Sequence, residues 1–287
     1  MIFVEVNFGR GSCLQKSELE DLAEAYIASL FHGGQLCGEY FLTQIKRELI
    51  CHALMSGLGA EKLRFHSDWA RSNLEKVEKA FGQKPVWKIR DDEVPKRNTS
   101  WRAPTLHLFT HAFDWKSPLC RGDTGAAIPV FLLPLDFQKK NDLVRWQDAY
   151  VLHDRLWLHS GSLETAAYRE LVDPNSELTT DGLEVCATVE KATGVPTYYF
   201  LMRYSAPEQG DDNRPTLRII TGRSDARAAV WSQQSVLIST RGWQDSGPGI
   251  HASQNRVPPR KVARDESCDS YASRAFLRRA YRRLRIW

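Results

Sequence analysis

The stretch Met1-Ile-Phe-Val-Glu-Val-Asn-Phe8 puts Ile2, Val4 and Val6 on one side of an extended chain and Phe3, Glu5 and Asn7 on the other. A period of two with β-branched residues predicts a strand with one face covered. The residues that follow supply the cover. Ser17-x-x-Glu20 reads as a capping box ahead of Leu22, Tyr26, Ile27 and Leu30 on one helical face, and Gly33-Gly34 stops that helix. Segments near 39–46 and 48–55 pattern as a strand pair, although Lys46-Arg47-Glu48 is a poor hairpin turn. Ser67 opens a second helix with Ala70, Leu74, Val77 and Phe81 on one stripe, closed by Gly82. Val86-Trp87-Lys88-Ile89 is a last short strand. The order β-α-β-β-α-β over residues 1–92 predicts an α+β, ferredoxin-like unit with both helices on one sheet face.

Residues 91–104 are a charged, proline-containing connection, and 105–205 read as a mixed α/β region. Thr105–Phe113 and Ile128–Leu135 pattern as strands. A long helix from about Asp136 carries Leu143, Trp146, Tyr150, His153 and Trp157 at alternating three- and four-residue spacings, a stripe that must pack against something substantial. Gly161 ends it, Ser162 caps a short helix through Leu171, and residues 179–193 form another helix ended by Gly194. Val195–Tyr204 is strand-like; its alternation puts Tyr198 and Phe200 on the face opposite Tyr199 and Leu201.

Charge divides the chain near Pro215. Residues 1–215 hold 12 Lys and 13 Arg against 30 acids, a net −5; residues 216–287 hold 13 Arg and one Lys against 5 acids, a net +9. Residues 206–287 therefore read as an arginine-rich, atypical tail, irregular except for 270–287. There Ala272, Phe276, Ala280, Leu284 and Trp287 share a helical face. Arg274, Arg278, Arg279, Arg282, Arg283 and Arg285 surround it, a basic amphipathic helix suited to nucleic acid, an anionic surface or a partner groove. Lysine-poor, arginine-rich composition is also what a shifted reading frame of GC-rich DNA yields. Resequencing decides between that origin and a genuine phosphate-binding tail.

No run reaches the roughly 18 apolar residues of a membrane span, and the amino end lacks a basic leader, so the expectation is a cytoplasmic protein. The six cysteines are scattered without a Cys-x-x-Cys pair and read as reduced thiols, partly core filler. His107-x-x-x-His111, with Cys120 nearby, is the candidate metal site: two imidazoles and a thiol are donors zinc accepts, and a strand would point both histidines to one side. A fourth donor is missing, and the alternative is that these are polar edges of two strands. His153-Asp154 lies on the long helix, where adjacent side chains project about 100° apart, so His153 reads as a half-buried structural histidine. No catalytic residues are assigned: the chain has no nucleophile elbow, phosphate loop or His-Glu-x-x-His helix.

Ile128-Pro-Val-Phe-Leu-Leu-Pro134, Trp146-Gln-Asp-Ala-Tyr150, His153-Asp-Arg-Leu-Trp157, Ser160-Gly, Ala167-Tyr-Arg169 and Gly194-Val-Pro-Thr-Tyr-Tyr199 with Arg203-Tyr204 together resemble an uncharacterised bacterial family. That family is described as zinc-ribbon-containing, with nucleic acid as its suggested ligand. The resemblance covers residues 1 to about 215. It implies a zinc held by two cysteine knuckles, one after a Ser-Pro and one after the Arg-Tyr strand. This chain departs at both. Ser117-Pro118 is followed by Leu-Cys120-Arg-Gly-Asp-Thr124, and Pro215 by Thr-Leu-Arg-Ile-Ile-Thr. Zinc is thus implied by the resemblance alone, with its ligands largely missing. The resulting expectation is a non-enzymatic accessory protein of zinc-ribbon type with a nucleic-acid ligand. Its rivals are a protein- or metabolite-binding regulatory module and a metal-dependent enzyme using His107 and His111.

Overall fold

The computed structural model describes residues 1–11 and 15–202, and the backbone of 235–239. All of these lie in one compact unit, Met1–Gln244. The class is α+β, as the sequence patterns require. The first elements are β1 (Ile2–Gly9), α1 (Lys16–His32), β2 (Leu36–Ile45), β3 (Glu48–Met55), α2 (Asp68–Phe81) and β4 (Val86–Ile89). Their strands form one sheet in the order β2-β3-β1-β4, with every neighbour antiparallel. Val4, Val6, Phe8, Cys51 and Ala53 meet Tyr26, Ile27 and Leu30 of α1 and Ala70, Val77 and Phe81 of α2 in a single core. One sheet face is therefore closed by helices, and the other is left to carry Phe3, Glu5, His52 and Phe41.

Two local expectations needed correction here. The cap of α1 is Gln15 rather than Ser17: its backbone N–H donates to Glu18 Oε2 at 2.9 Å. The helix thus begins one turn-fraction earlier, where the reciprocal Glu is also in reach. The second concerns Lys46-Arg47, which does make the two-residue β2–β3 turn. Both residues take the left-handed region, φ 51° and 69°, the geometry that matches the twist of a hairpin. Side chains with a Cβ pay about 1–2 kcal/mol each there. Lys46→Asn with Arg47→Gly is expected to stabilise the chain by about 1–2 kcal/mol, read as a higher urea midpoint at unchanged slope. A lower midpoint would refute the account.

The second group comprises β5 (Leu106–Leu108), β6 (Leu119–Arg121), α3 (Phe137–His159), α4 (Glu164–Val172), α5 (Glu177–Thr193), β7 (Thr197–Met202) and β8 (Ser235–Ser239). Its sheet runs β6-β5-β7-β8, with β5 and β7 parallel. β8 falls inside the stretch read from composition as tail, and its backbone pairs antiparallel with β7. The predicted strand 105–113 shrinks to Leu106–Leu108. The predicted strand 128–135 is absent: Val130–Leu132 is a 3-10 turn between Pro129 and Pro134, which lack the N–H a ladder needs. Its apolar run is buried all the same. Phe131 joins the first core, while Ile128, Val130, Leu133 and Leu135 join the second.

The long helix is as read, capped by Asp136, whose Oδ1 accepts the Lys139 N–H at 2.9 Å. Leu143, Trp146 and Tyr150 are buried, and His153 is half-buried with Nδ1 2.8 Å from the Ala149 carbonyl. The short helix α4 starts at Glu164 after Leu163, whose N–H is held by Ser160 Oγ at 3.1 Å, so Ser162 is not its cap. α5 is longer than read, because Ser176 caps it through the Thr179 N–H.

Candidate functional site

The open face of the first sheet gathers an aromatic row. Cross-strand register sets His52 beside Glu5 on one side and Phe41 on the other. The Phe3 and His52 rings lie 6.0 Å apart and nearly parallel, at 14°, and the Phe41 ring follows at 6.5 Å. Three strands thus contribute one ring each to a continuous platform. Phe41 is 48% exposed; Ile45 and Val86 on the same face are 47% and 49% exposed. Phe41 and Ile45 lie together on β2, while Val86 stands at the opposite edge of the sheet. Burial lowers the His52 pKa, so the central ring is neutral at pH 7.

The β4 side of the platform is charged. Glu5 Oε2 accepts Arg90 Nε and Nη2 at 3.1 and 2.9 Å, and Lys88 Nζ stands 4.0 Å from its other oxygen. Asp91 adds a second carboxylate there by accepting the Phe3 N–H, so the edge beside the rings is charged but balanced. The alternation in residues 1–8 puts Phe3 outward. It cannot show that Phe3, His52 and Phe41 align, because strand register is a long-range property.

The residues singled out for metal sit on the second sheet. His107 and Cys120 are register partners on β5 and β6, and Cys120 Sγ donates to the His107 carbonyl at 3.5 Å. The His107 ring packs edge-on against Tyr198, and a Cβ on Gly122 would fall 2.8 Å from its Nε2. His111 lies beyond the strand end, exposed, with Nε2 4.0 Å from Asp114 Oδ2. Among the described residues no group of three or more His, Cys, Asp or Glu is placed to hold a metal ion. Burial pushes the Cys120 thiol up to about 11 and the His107 imidazole down. A neutral imidazole is the form that ligates a metal, and a bound metal would itself draw the proton from the thiol. Among the described residues, His107 and Cys120 supply two of the four donors that a closed zinc site needs.

Because the folded His107 resists protonation, it contributes stability above its unfolded pKa of about 6.5 that is lost as pH falls toward the depressed folded value. His107→Gln is therefore expected to flatten the fall in urea midpoint between pH 7.5 and 5.5. An unchanged slope would remove His107 from that account.

Asp154 is buried at the end of α3, accepting the Ala112 N–H at 2.6 Å. Burial raises its pKa, partly countered by that hydrogen bond and by His111 and His159. It fixes the loop after β5 onto the helix. Between the two cores lies a cleft of about 380 Å³ lined by Phe31, Leu36, Trp115, Val144, Val151 and Leu152, with Asp148 and Arg155 at its rim. The six arginines of 274–285 lie outside the described residues. Within them, Cys37, Cys51, Cys120 and Cys186 are free thiols, and no helix is long and apolar enough to cross a membrane.

Residues 101–202 match a family described as a domain of unknown function (DUF2310). Two curated relatives from Haemophilus influenzae, both described as uncharacterized proteins, are 30% identical. One aligns over 114 residues, 39% of this chain and 54% of its own length; the other over 119 residues, 39% and 42%. The chain thus spans about half the length of the curated relatives it matches. No solved structure matches it significantly.

Proposed function

We propose that the chain is an accessory protein that binds single-stranded nucleic acid. In this reading the open face of the first sheet stacks bases and the arginine-rich stretch 216–287 engages phosphates. The Phe3–His52–Phe41 row carries the reading. Base stacking on aromatic rings is tolerant of sequence and contributes about 1–3 kcal/mol per base. The net +9 of residues 216–287 supplies the attraction that the acidic remainder of the chain cannot. The resemblance to a family with a suggested nucleic-acid ligand agrees with this. The zinc ribbon of that family is not part of the proposal, because the described residues bring together no group of three metal donors.

The test is fluorescence anisotropy of a labelled oligothymidylate titrated with the full chain at several salt concentrations. Binding is expected to weaken steeply with salt, as phosphate neutralisation releases counterions. A truncation after Gln244, which keeps β8 and the compact unit, should lose much of that salt dependence. Failure to bind the oligonucleotide at low salt would end the proposal.

A further inference from the structure

The outer edge of the first sheet carries a different inference, which stands whether or not its open face binds nucleic acid. Among the described residues, β2 pairs with β3 on one side and with no strand on the other. Its run Tyr40-Phe-Leu-Thr-Gln-Ile45 has no charge, proline or glycine. Charge and proline are among the devices by which edge strands avoid pairing with another chain, and the bulge of β2 falls at the start of the run, between Cys37 and Phe41. Charge appears only at the two ends. Glu39 precedes the run, with its side chain 69% exposed and only a 4.0 Å contact to Arg155. Lys46 and Arg47, both exposed, follow it at the turn.

This arrangement is self-complementary in one orientation. Lay a second copy antiparallel along the edge, with Thr43 opposite Thr43. Phe41 then faces Ile45 of the second copy, and Ile45 faces Phe41, so the two half-exposed apolar side chains of each strand cover one another. The same register brings Glu39, in the bulge of β2, to the neighbourhood of Arg47 and Lys46 of the second copy, at both ends of the ladder. A parallel pairing in register would instead set Glu39 beside Glu39 and Arg47 beside Arg47, which is repulsive. A slip of one residue would turn Phe41 and Ile45 to opposite faces. We propose that the chain forms a two-fold dimer through antiparallel β2–β2 pairing, an isologous contact that makes one continuous eight-stranded sheet.

The test uses charge exchange at exposed positions, read by sedimentation velocity on the full chain at low salt between about 1 and 100 μM. The unmodified chain is expected to dimerise. Glu39→Arg alone sets cation against cation at both ends, and Arg47→Glu alone sets anion against anion; each is expected to weaken the dimer about tenfold or more. Mixing the two variants restores opposite charges at both ends and should recover the dimer as a heterodimer. A chain that stays monomeric throughout the range overturns the proposal. So does a dimer indifferent to either substitution, or a pair of weakened variants that mixing fails to rescue. Each variant alone keeps its fold if its circular dichroism matches the parent, so the mixing result reads the interface and not unfolding.

Discussion

Trp146→Ala is expected to cost about 3–5 kcal/mol of folding free energy, measured as the change in urea unfolding. Trp146 is 4% exposed and sits where α3, α5 and β7 meet. Its rings lie 5.4 Å from Tyr150 and 5.8 Å from Tyr199, and its Nε1–H donates to the Leu178 carbonyl at 3.2 Å. The packing there is close enough that α5 carries Gly182 in its middle: a Cβ would come within 2.2 Å of the Tyr199 ring and 2.8 Å of Trp146 Nε1. Walls that tight relax little, so truncation leaves a cavity as well as removing the burial. Trp146→Phe keeps most of the ring and drops the hydrogen bond, an expected loss nearer 1 kcal/mol. An alanine variant within 1 kcal/mol of the parent would show that these three elements do not share a core.

The second large effect is on the proposed stacking surface. Phe41→Ala is expected to weaken oligothymidylate binding roughly tenfold to a hundredfold, the loss of one base–ring stack. The half-exposed side chain contributes little to the core, so the urea midpoint should move much less. Ile45→Ala is the matched control. It is equally exposed on the same face of the same strand and would be equally missed by a merely apolar contact, but it has no ring. Stacking requires Phe41→Ala to weaken binding and Ile45→Ala to leave it nearly unchanged. Equal losses would mean a greasy surface with no preference for bases, and no loss in either would move the ligand elsewhere. Loss of the β2–β2 dimer would weigh on both variants alike, so the difference between them reads stacking alone.

Elements with a strong local signal were legible before any coordinates. α2 needed only Ser67, its apolar stripe and Gly82; α5 needed its pattern and Gly194. β1 needed its strict alternation. The misreadings share one cause. Residues 128–135 are apolar enough for a buried strand, but Pro129 and Pro134 deny them a ladder, and apolar content alone says only that a segment is buried. The separation of His107 from His111 turns on where β5 stops, and strand ends are set by neighbours rather than by composition.

Local pattern by itself determined the α+β class, the β-α-β-β-α-β order, the long helix, and the abrupt change of charge near Pro215, because each is written within a few turns of chain. Only tertiary structure aligned Phe3, His52 and Phe41 across three strands, left β2 on an outer edge, and carried Phe131 into one core while Val130 and Leu133 entered the other. Those features depend on pairing between residues tens of positions apart, where register and burial are decided by the whole sheet and its cover.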